Sequence, residues 1–349
     1  MIALEFGLDT FGDVTAGSDG APLHQAEVLR NVVAEGVLAE QAGVDVFSVG
    51  EHHRADFAVS APEVVLAAIA GQTSRIRLGS AVTVLSSDDP VRVYQRFATL
   101  DAVSRGRAEV ILGRGSFIES FPLFGYALDD YETLFEEKLD LFAALRREGP
   151  ITWSGTTRAG LEAQRVYPET ENGLQTWVGV GGSPQSVVRA ARHNLPLMLA
   201  IIGGDPLRFR PYVDLYQRCR AGQPTLPVGV HSPGFVADSD AEARALLWPS
   251  YKVMRDRIGA ERGWPPMRRE EFEAEAGGGS LYVGGPETVA RRIAATVAGL
   301  GIQRFSLKYS AGPLPHDALM RSIELYGRRV IPLVREMLSQ TIDLVATAN

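Results

Sequence analysis

Short apolar runs alternate along the chain with longer amphipathic stretches, and the alternation repeats eight times. Residues 2–8 predict a first strand. In the stretch behind it Leu29, Val32, Val33 and Val37 share one helical face, Glu27, Arg30, Glu35 and Glu40 lie elsewhere, and Gly43 follows as a stop. Further apolar or β-branched runs occupy 44–49, 76–85, 108–113, 176–180, 197–202, 227–237 and 302–309. Helical patterns follow them at 61–72, from Pro90 to about residue 104, and at 129–147, 184–193, 206–220, 240–258 and the C-terminus.

Strands buried on both faces and joined by helices pair in parallel through right-handed crossovers. Eight such units predict an α/β fold of the (β/α)8 TIM-barrel type, whose usual size is about 250 residues. A doubly wound open sheet is the rival, but it uses fewer strands, and no composition break marks a second domain. The expected organisation is therefore one domain over 1–349. The surplus length falls at 152–173, at 259–285, and in an extra C-terminal helix. That helix carries Leu319, Ile323, Tyr326, Val330 and Leu333, with Pro332 as a kink. Segment 259–285 contains Gly277-Gly278-Gly279 and reads as a lid hinged on the glycines or as a plain insertion.

Composition narrows the function. The chain has 349 residues, 45% hydrophobic, which is enough for a large core. Its 35 basic and 42 acidic residues give a net charge of −7 without a Lys/Arg run, which argues against nucleic acid or an anionic membrane as partner. The single cysteine, Cys219, excludes an internal disulfide framework and Cys-rich metal sites. The first residues lack a basic leader, and the longest apolar stretch, 195–202, is too short for a bilayer. A soluble, cytoplasmic enzyme is the expectation.

In a barrel of this kind chemistry sits at the C-terminal ends of the strands. The second strand runs into Glu51-His52-His53. Adjacent residues on extended backbone point to opposite faces, so one imidazole is expected to face the mouth, as a general base or a partner for a bound cofactor; a structural His pair is the alternative. That divergence, and the lack of a His-x-His pair, argue against a metal site. The third strand continues into Gly79-Ser80-Ala81-Val82, small enough for a flat group or simply for a tight barrel layer. The fourth ends in Gly113-Arg114-Gly115, where an arginine between glycines suits an anion or an ion pair. The fifth ends in Gly181-Gly182-Ser183-Pro184, with Ser183 as N-cap and no acid in the helix that follows. Its first turn is left for an external anion, a phosphate, with simple helix capping as the alternative. Gly284-Gly285-Pro286-Glu287 is a second such start, but Glu287 already compensates its dipole. The glycine spacings do not fit the dinucleotide fingerprint. Glu109, a charge inside a strand, reads as catalytic or as paired with Lys308. Phe6, Phe11, Phe57, Phe117 and Phe121 suit an apolar pocket or the core.

Taken with Pro90-Val91-Arg92, with residues 101–107 (DAVSRGR), with Phe124-Gly125 and with Val330-Ile331-Pro332, these strand ends resemble the bacterial luciferase-like family of flavin-dependent monooxygenases and oxidoreductases. The resemblance covers nearly the whole chain. It implies a TIM barrel binding FMN at its mouth, with the phosphate held by Arg114 and by Gly182, Ser183 and Ser186. It extends the cofactor site to Gly115, Ser116 and Gly181, puts a non-prolyl cis peptide at Ala81-Val82 under the flavin ring, and makes His52 the catalytic histidine. It further implies a homodimer built on helices of the second and third units. Luciferase itself has a reactive Cys on the fourth strand where this chain has Gly113, which counts against light emission. The leading expectation is a monooxygenase that receives reduced FMN from a separate NAD(P)H:flavin reductase and uses O2 to oxidise a small organic substrate. Its rivals are deazaflavin-dependent hydride transfer, a flavin-binding protein without turnover, and a metal-dependent barrel hydrolase.

Overall fold

The computed structural model describes residues 3–115 and 117–347, with side chains as far as residue 340. Among these residues eight strands close into a parallel barrel: β1 (Glu5–Thr10), β2 (Val46–Val49), β3 (Arg77–Ser80), β4 (Ala108–Gly113), β5 (Gln175–Val180), β6 (Leu197–Ala200), β7 (Val228–Val236) and β8 (Arg304–Lys308). Each strand pairs with its chain neighbours, and β8 completes the ring between β7 and β1. The eight apolar runs are thus the eight staves, and closure excludes the open sheet.

The helices are α1 (Gln25–Ala42), α2 (Pro62–Ala70), α3 (Pro90–Ser104), α4 (Tyr131–Leu145), α5 (Pro184–Arg192), α6 (Arg210–Cys219), α7 (Asp240–Arg262), α8 (Arg269–Gly278), α9 (Pro286–Leu300), α10 (His316–Leu325) and α11 (Ile331–Thr347). Strand residues alternate between two environments. Phe6, Leu8, Phe47, Leu78, Val110 and Leu112 are buried in the apolar shell beneath the helices. The alternate positions enter the barrel, where Ile111, Trp177 and Met198 form a separate apolar cluster.

Below that cluster the interior is ionic. Arg304 donates to Glu109 Oε1 and Oε2 at 2.5 and 3.0 Å and to Glu5 Oε2 at 2.6 Å, and its guanidinium lies 4.2 Å over Trp177. The partner expected for Glu109 was Lys308. That lysine lies two inward positions nearer the mouth and donates instead to Asp13 Oδ2 at 2.9 Å.

Three other expectations change. The run 76–85 is not one strand: β3 stops at Ser80, Ala81-Val82 is a cis peptide, and only Thr83–Val84 resumes pairing, with β4. The C-terminal helix is interrupted before Pro332, by a π-helical turn at Tyr326–Val330. Gly327 there presses on the end of α1, where a Cβ would stand 2.5 Å from the Ala42 carbonyl oxygen, so close packing rather than proline accounts for the break. Segment 259–285 contains α8 and a strand, Tyr282–Gly284, that extends β7 in parallel. Gly277 and Gly278 close the helix rather than forming an open hinge.

Candidate active site

A cavity of about 1040 Å³ opens at the C-terminal ends of the barrel strands. Its wall carries His52, Ala81, Val82, Arg114, Gly115 and Gly181. Gly182, Ser183 and Ser186 follow directly in the chain but stand outside that wall. Ser116 lies outside the described residues.

Beyond Val49 the chain leaves strand geometry, so period-two alternation no longer separates the two imidazoles. Both line the cavity, contrary to the expectation of one. His53 is tied down, with Nε2 at 2.9 Å from Glu51 Oε1, while Glu51 Oε2 accepts the Val84 backbone N–H at 2.9 Å. His52 sits among Phe11, Phe57 and Phe117, with ring centroids at 4.4, 4.6 and 5.1 Å. Burial among these rings, aided by the Lys308 charge, holds its imidazole down to about 3. So low a value makes His52 a neutral ring and a weak base, suited to hydrogen bonding rather than to proton abstraction. Of the five phenylalanines singled out, Phe11, Phe57 and Phe117 line the cavity, whereas Phe6 and Phe121 are core.

Small residues make one side of the mouth flat. A Cβ on Gly113 would stand 2.5 Å from Val82 Cγ2, and one on Gly179 3.1 Å from Val82 Cγ1. Gly50 is equally confined, 2.6 Å from the Ala81 carbonyl oxygen. These positions bring the Ala81-Val82 peptide against the ends of β4 and β5 and leave room for a planar ligand above.

The cation after β4 and the helix start after β5 meet on one rim. Arg114 lies over the Tyr131 ring and pairs with Glu132, and Glu132 Oε2 also accepts from Arg189 Nη2 at 3.1 Å. Arg189 in turn reaches Ser186 Oγ at 3.3 Å, at the foot of α5. Ser183 caps α5 by accepting from the Ser186 N–H at 3.4 Å, and the first turn has no acid. Glu132 therefore stands between Arg114 and Arg189, a partner that the sequence did not suggest. At the other glycine-rich helix start the Gly285 N–H is already taken by Asp240 Oδ1 at 2.7 Å, so a second anion site is not built there.

The far wall comes from α7 and α8, through Met254, Arg255, Ile258, Trp264, Met267 and Glu271. Arg54, beyond β2, ties this wall down with a fork to Glu261 at 2.8 and 2.6 Å and pairs with Glu119 beyond β4. Asp9 and His231 were missed by the sequence reading, and Lys308 was read only as a structural partner of Glu109. All three are charged or titratable residues near the ends of β1 and β8 and, for His231, midway along β7, and titratable groups inside apolar strands were the signal. Among the described residues no group of three or more His, Cys, Asp or Glu is arranged to hold a metal, and no helix is long and apolar enough to cross a membrane.

The cavity brings small residues, aromatic rings and charged groups together at one end of the barrel, and known proteins share its frame. The alkanal monooxygenase alpha chain of Photobacterium leiognathi is 24% identical over 345 residues, covering 90% of this chain and 95% of that protein. The fold is shared with the oxygenating constituent of 3,6-diketocamphane monooxygenase from Pseudomonas putida, solved with FMN (TM-score 0.73, 20% identity, 95% of this chain and 98% of that one). It is shared also with the coenzyme F420-dependent tetrahydromethanopterin reductase of Methanopyrus kandleri (TM-score 0.70, 19% identity, 95% and 99%). The sequence profile of luciferase-like monooxygenases matches residues 6–304. A match running from the first barrel strand to the last shows that this chain belongs to the luciferase-like monooxygenase family.

Proposed function

We propose that the protein is the oxygenase component of a two-component system, taking reduced FMN and O2 to oxidise a small organic substrate while a separate NAD(P)H:flavin reductase supplies the flavin. One observation carries the reading: Arg114 and the acid-free start of α5 share a rim, beside a flat surface of small residues. Arg114, Gly115 and Ser116, with Gly181, Gly182, Ser183 and Ser186, would hold the phosphate end, since a guanidinium and helix N–H groups both favour a dianion. Ala81 and Val82 would support the ring. Bound FMN supplies redox chemistry that no side chain here provides.

The remaining residues shape the surroundings. His52, neutral, offers a hydrogen bond without a charge. Phe11, Phe57, Phe117 and the α7–α8 wall keep water from the reacting atoms. We further read the chain as a cytoplasmic homodimer through α2 and α3, where Val64 and Val103 stand exposed; light scattering of the eluting protein checks the mass.

The test is a titration of the purified protein with FMN and with a deazaflavin coenzyme, followed by oxygen uptake with a flavin reductase present. FMN is expected to bind preferentially, and Arg114→Ala to weaken it. Preference for the deazaflavin, or unchanged FMN affinity in Arg114→Ala, overturns the reading.

A further inference from the structure

The floor of the cavity holds a pair that the flavin reading leaves unused. His231 Nδ1 lies 3.0 Å from Asp9 Oδ2, and both residues line the cavity. A carboxylate only accepts, so Nδ1 carries the proton at this contact, and Nε2 is the nitrogen left to act as acceptor when the ring works as a base. Asp9 is fully buried, and its other oxygen, Oδ1, has no hydrogen-bond partner among the described residues. Buried polar atoms are otherwise nearly always matched, so an unmatched carboxylate oxygen at a cavity floor is a place for a donor.

We propose that Asp9 and His231 form the substrate site's base: Asp9 positions the imidazole, and His231 takes the proton of a phenol-class or enol hydroxyl. This rests on reading the cavity as that of an oxygenase. In the step the substrate O–H bond breaks, its electron pair stays on oxygen, and the proton moves to His231 Nε2. Asp9 then faces an imidazolium and the pair becomes an ion pair, the arrangement in which a buried carboxylate assists an imidazole base. Complete transfer to imidazole ahead of the redox step favours hydroxyls as acidic as phenols or enols, because a simple alcohol yields its proton to imidazole only in concert with a bond-forming step.

The surroundings select the same class. Lys308 shares the floor, its ammonium held by Asp13 Oδ2 at 2.9 Å and by the Ser310 carbonyl at 2.5 Å. Its positive field favours an oxyanion and disfavours an ammonium ligand. Above the floor stands Phe11, with His231 stacked on it at 6.4 Å, Lys308 Nζ at 4.6 Å from its centroid, and Phe57 at 5.6 Å. A ring carrying its hydroxyl toward Asp9 and His231 meets rings around and acceptors beneath.

4-Nitrophenol, whose anion is yellow, is the probe, with 4-nitroanisole as its ether control, on the protein with and without FMN. Below the probe's own pKa, the protein is expected to bind it with the phenolate colour and to bind the ether at least tenfold more weakly. His231→Gln should abolish the colour. Asp9→Asn should lower the coloured fraction severalfold, and Asp9→Glu should restore part of it. Turnover of a phenolic substrate should fall in kcat more than it rises in KM in both loss variants. Colour that survives His231→Gln, ether binding as tight as phenol binding, or expulsion of the probe by FMN overturns the proposal. The ether comparison uses the unchanged protein and decides even if a variant fails to fold. Failure of the unchanged protein to bind FMN with the colour intact sinks the flavin reading and leaves Asp9 and His231 as a base without an oxygenase role, which overturns the proposal in its present form.

Discussion

The barrel contains two polar layers, one at each end of the Ile111–Trp177–Met198 cluster, and they differ in completeness. In the lower layer all four carboxylate oxygens of Glu5 and Glu109 face a guanidinium, from Arg304 or Arg77. In the upper layer Asp13 is fully matched, but Asp9 keeps one oxygen without a partner beside a cavity. Burying charge is costly unless every partner is present. Arg77 Nε in the lower layer also lacks a hydrogen-bond partner, so the difference lies in the carboxylates: matched ones serve as a structural device, and an unmatched one beside a cavity marks the floor of a site.

The largest effect tests the lower layer. Arg304→Met leaves Glu109 buried without its counter-ion and should cost about 3–5 kcal/mol in denaturant unfolding. Adding Glu109→Leu should recover part of that loss, because the penalty belongs to the stranded charge. An Arg304→Met protein of unchanged stability would erase the distinction between the layers.

At the mouth, Arg114→Ala should leave unfolding nearly unchanged. It should weaken FMN binding by about ten- to a hundredfold, the range for a lost charge-assisted hydrogen bond of about 1.5–3 kcal/mol. Calorimetric titration reads this directly. Loss of stability comparable with that of Arg304→Met would make Arg114 structural.

His52 sharpens the comparison through pH. Its folded value, about 3, lies below its ordinary 6.5, so the unfolded chain binds the proton first as pH falls. The stability from keeping it neutral is complete above about 6.5 and is lost as pH falls toward 3, at up to about 1.4 kcal/mol per pH unit. His52→Gln should flatten that limb in unfolding curves taken between pH 6.5 and 4. An unaltered limb would mean that the ring is protonated in the folded state.

Glu132→Gln removes the carboxylate that competes for Arg114 and Arg189 and should tighten FMN binding severalfold; weaker binding would show that Glu132 organises the rim. The smallest effect belongs to Arg54→Ala. Arg54 also pairs with Asp56 and Glu119, so losing its half-exposed fork to Glu261 leaves those carboxylates without a cation as well; stopped-flow measurements should show faster ligand release with a melting loss smaller than that of Arg304→Met.

The fold was legible because its signals are local. Eight apolar runs, each followed by an amphipathic helix, needed only period counting, and Ser183 at a cap before Pro184 needed only the chemistry of helix ends. The site was legible in part. Arg114 and α5 declared themselves by charge in an unexpected place, and the resemblance added Ala81-Val82. Glu132, in the first turn of α4, gave no comparable sign, because a glutamate opening a helix is ordinary. Asp9 and His231 lie 222 residues apart in the chain and meet only because β1 and β7 flank β8.

The amino-acid order by itself determined the number of strands, their parallel pairing, the helix caps and the small residues at the strand ends, since each depends on neighbours within a few residues. Only the closed barrel decided which charges share a layer, that both His52 and His53 reach the cavity, and that Glu109 meets Arg304 rather than Lys308. Inward side chains are sorted by their height along staves distant in sequence, and that height exists only once the ring is closed.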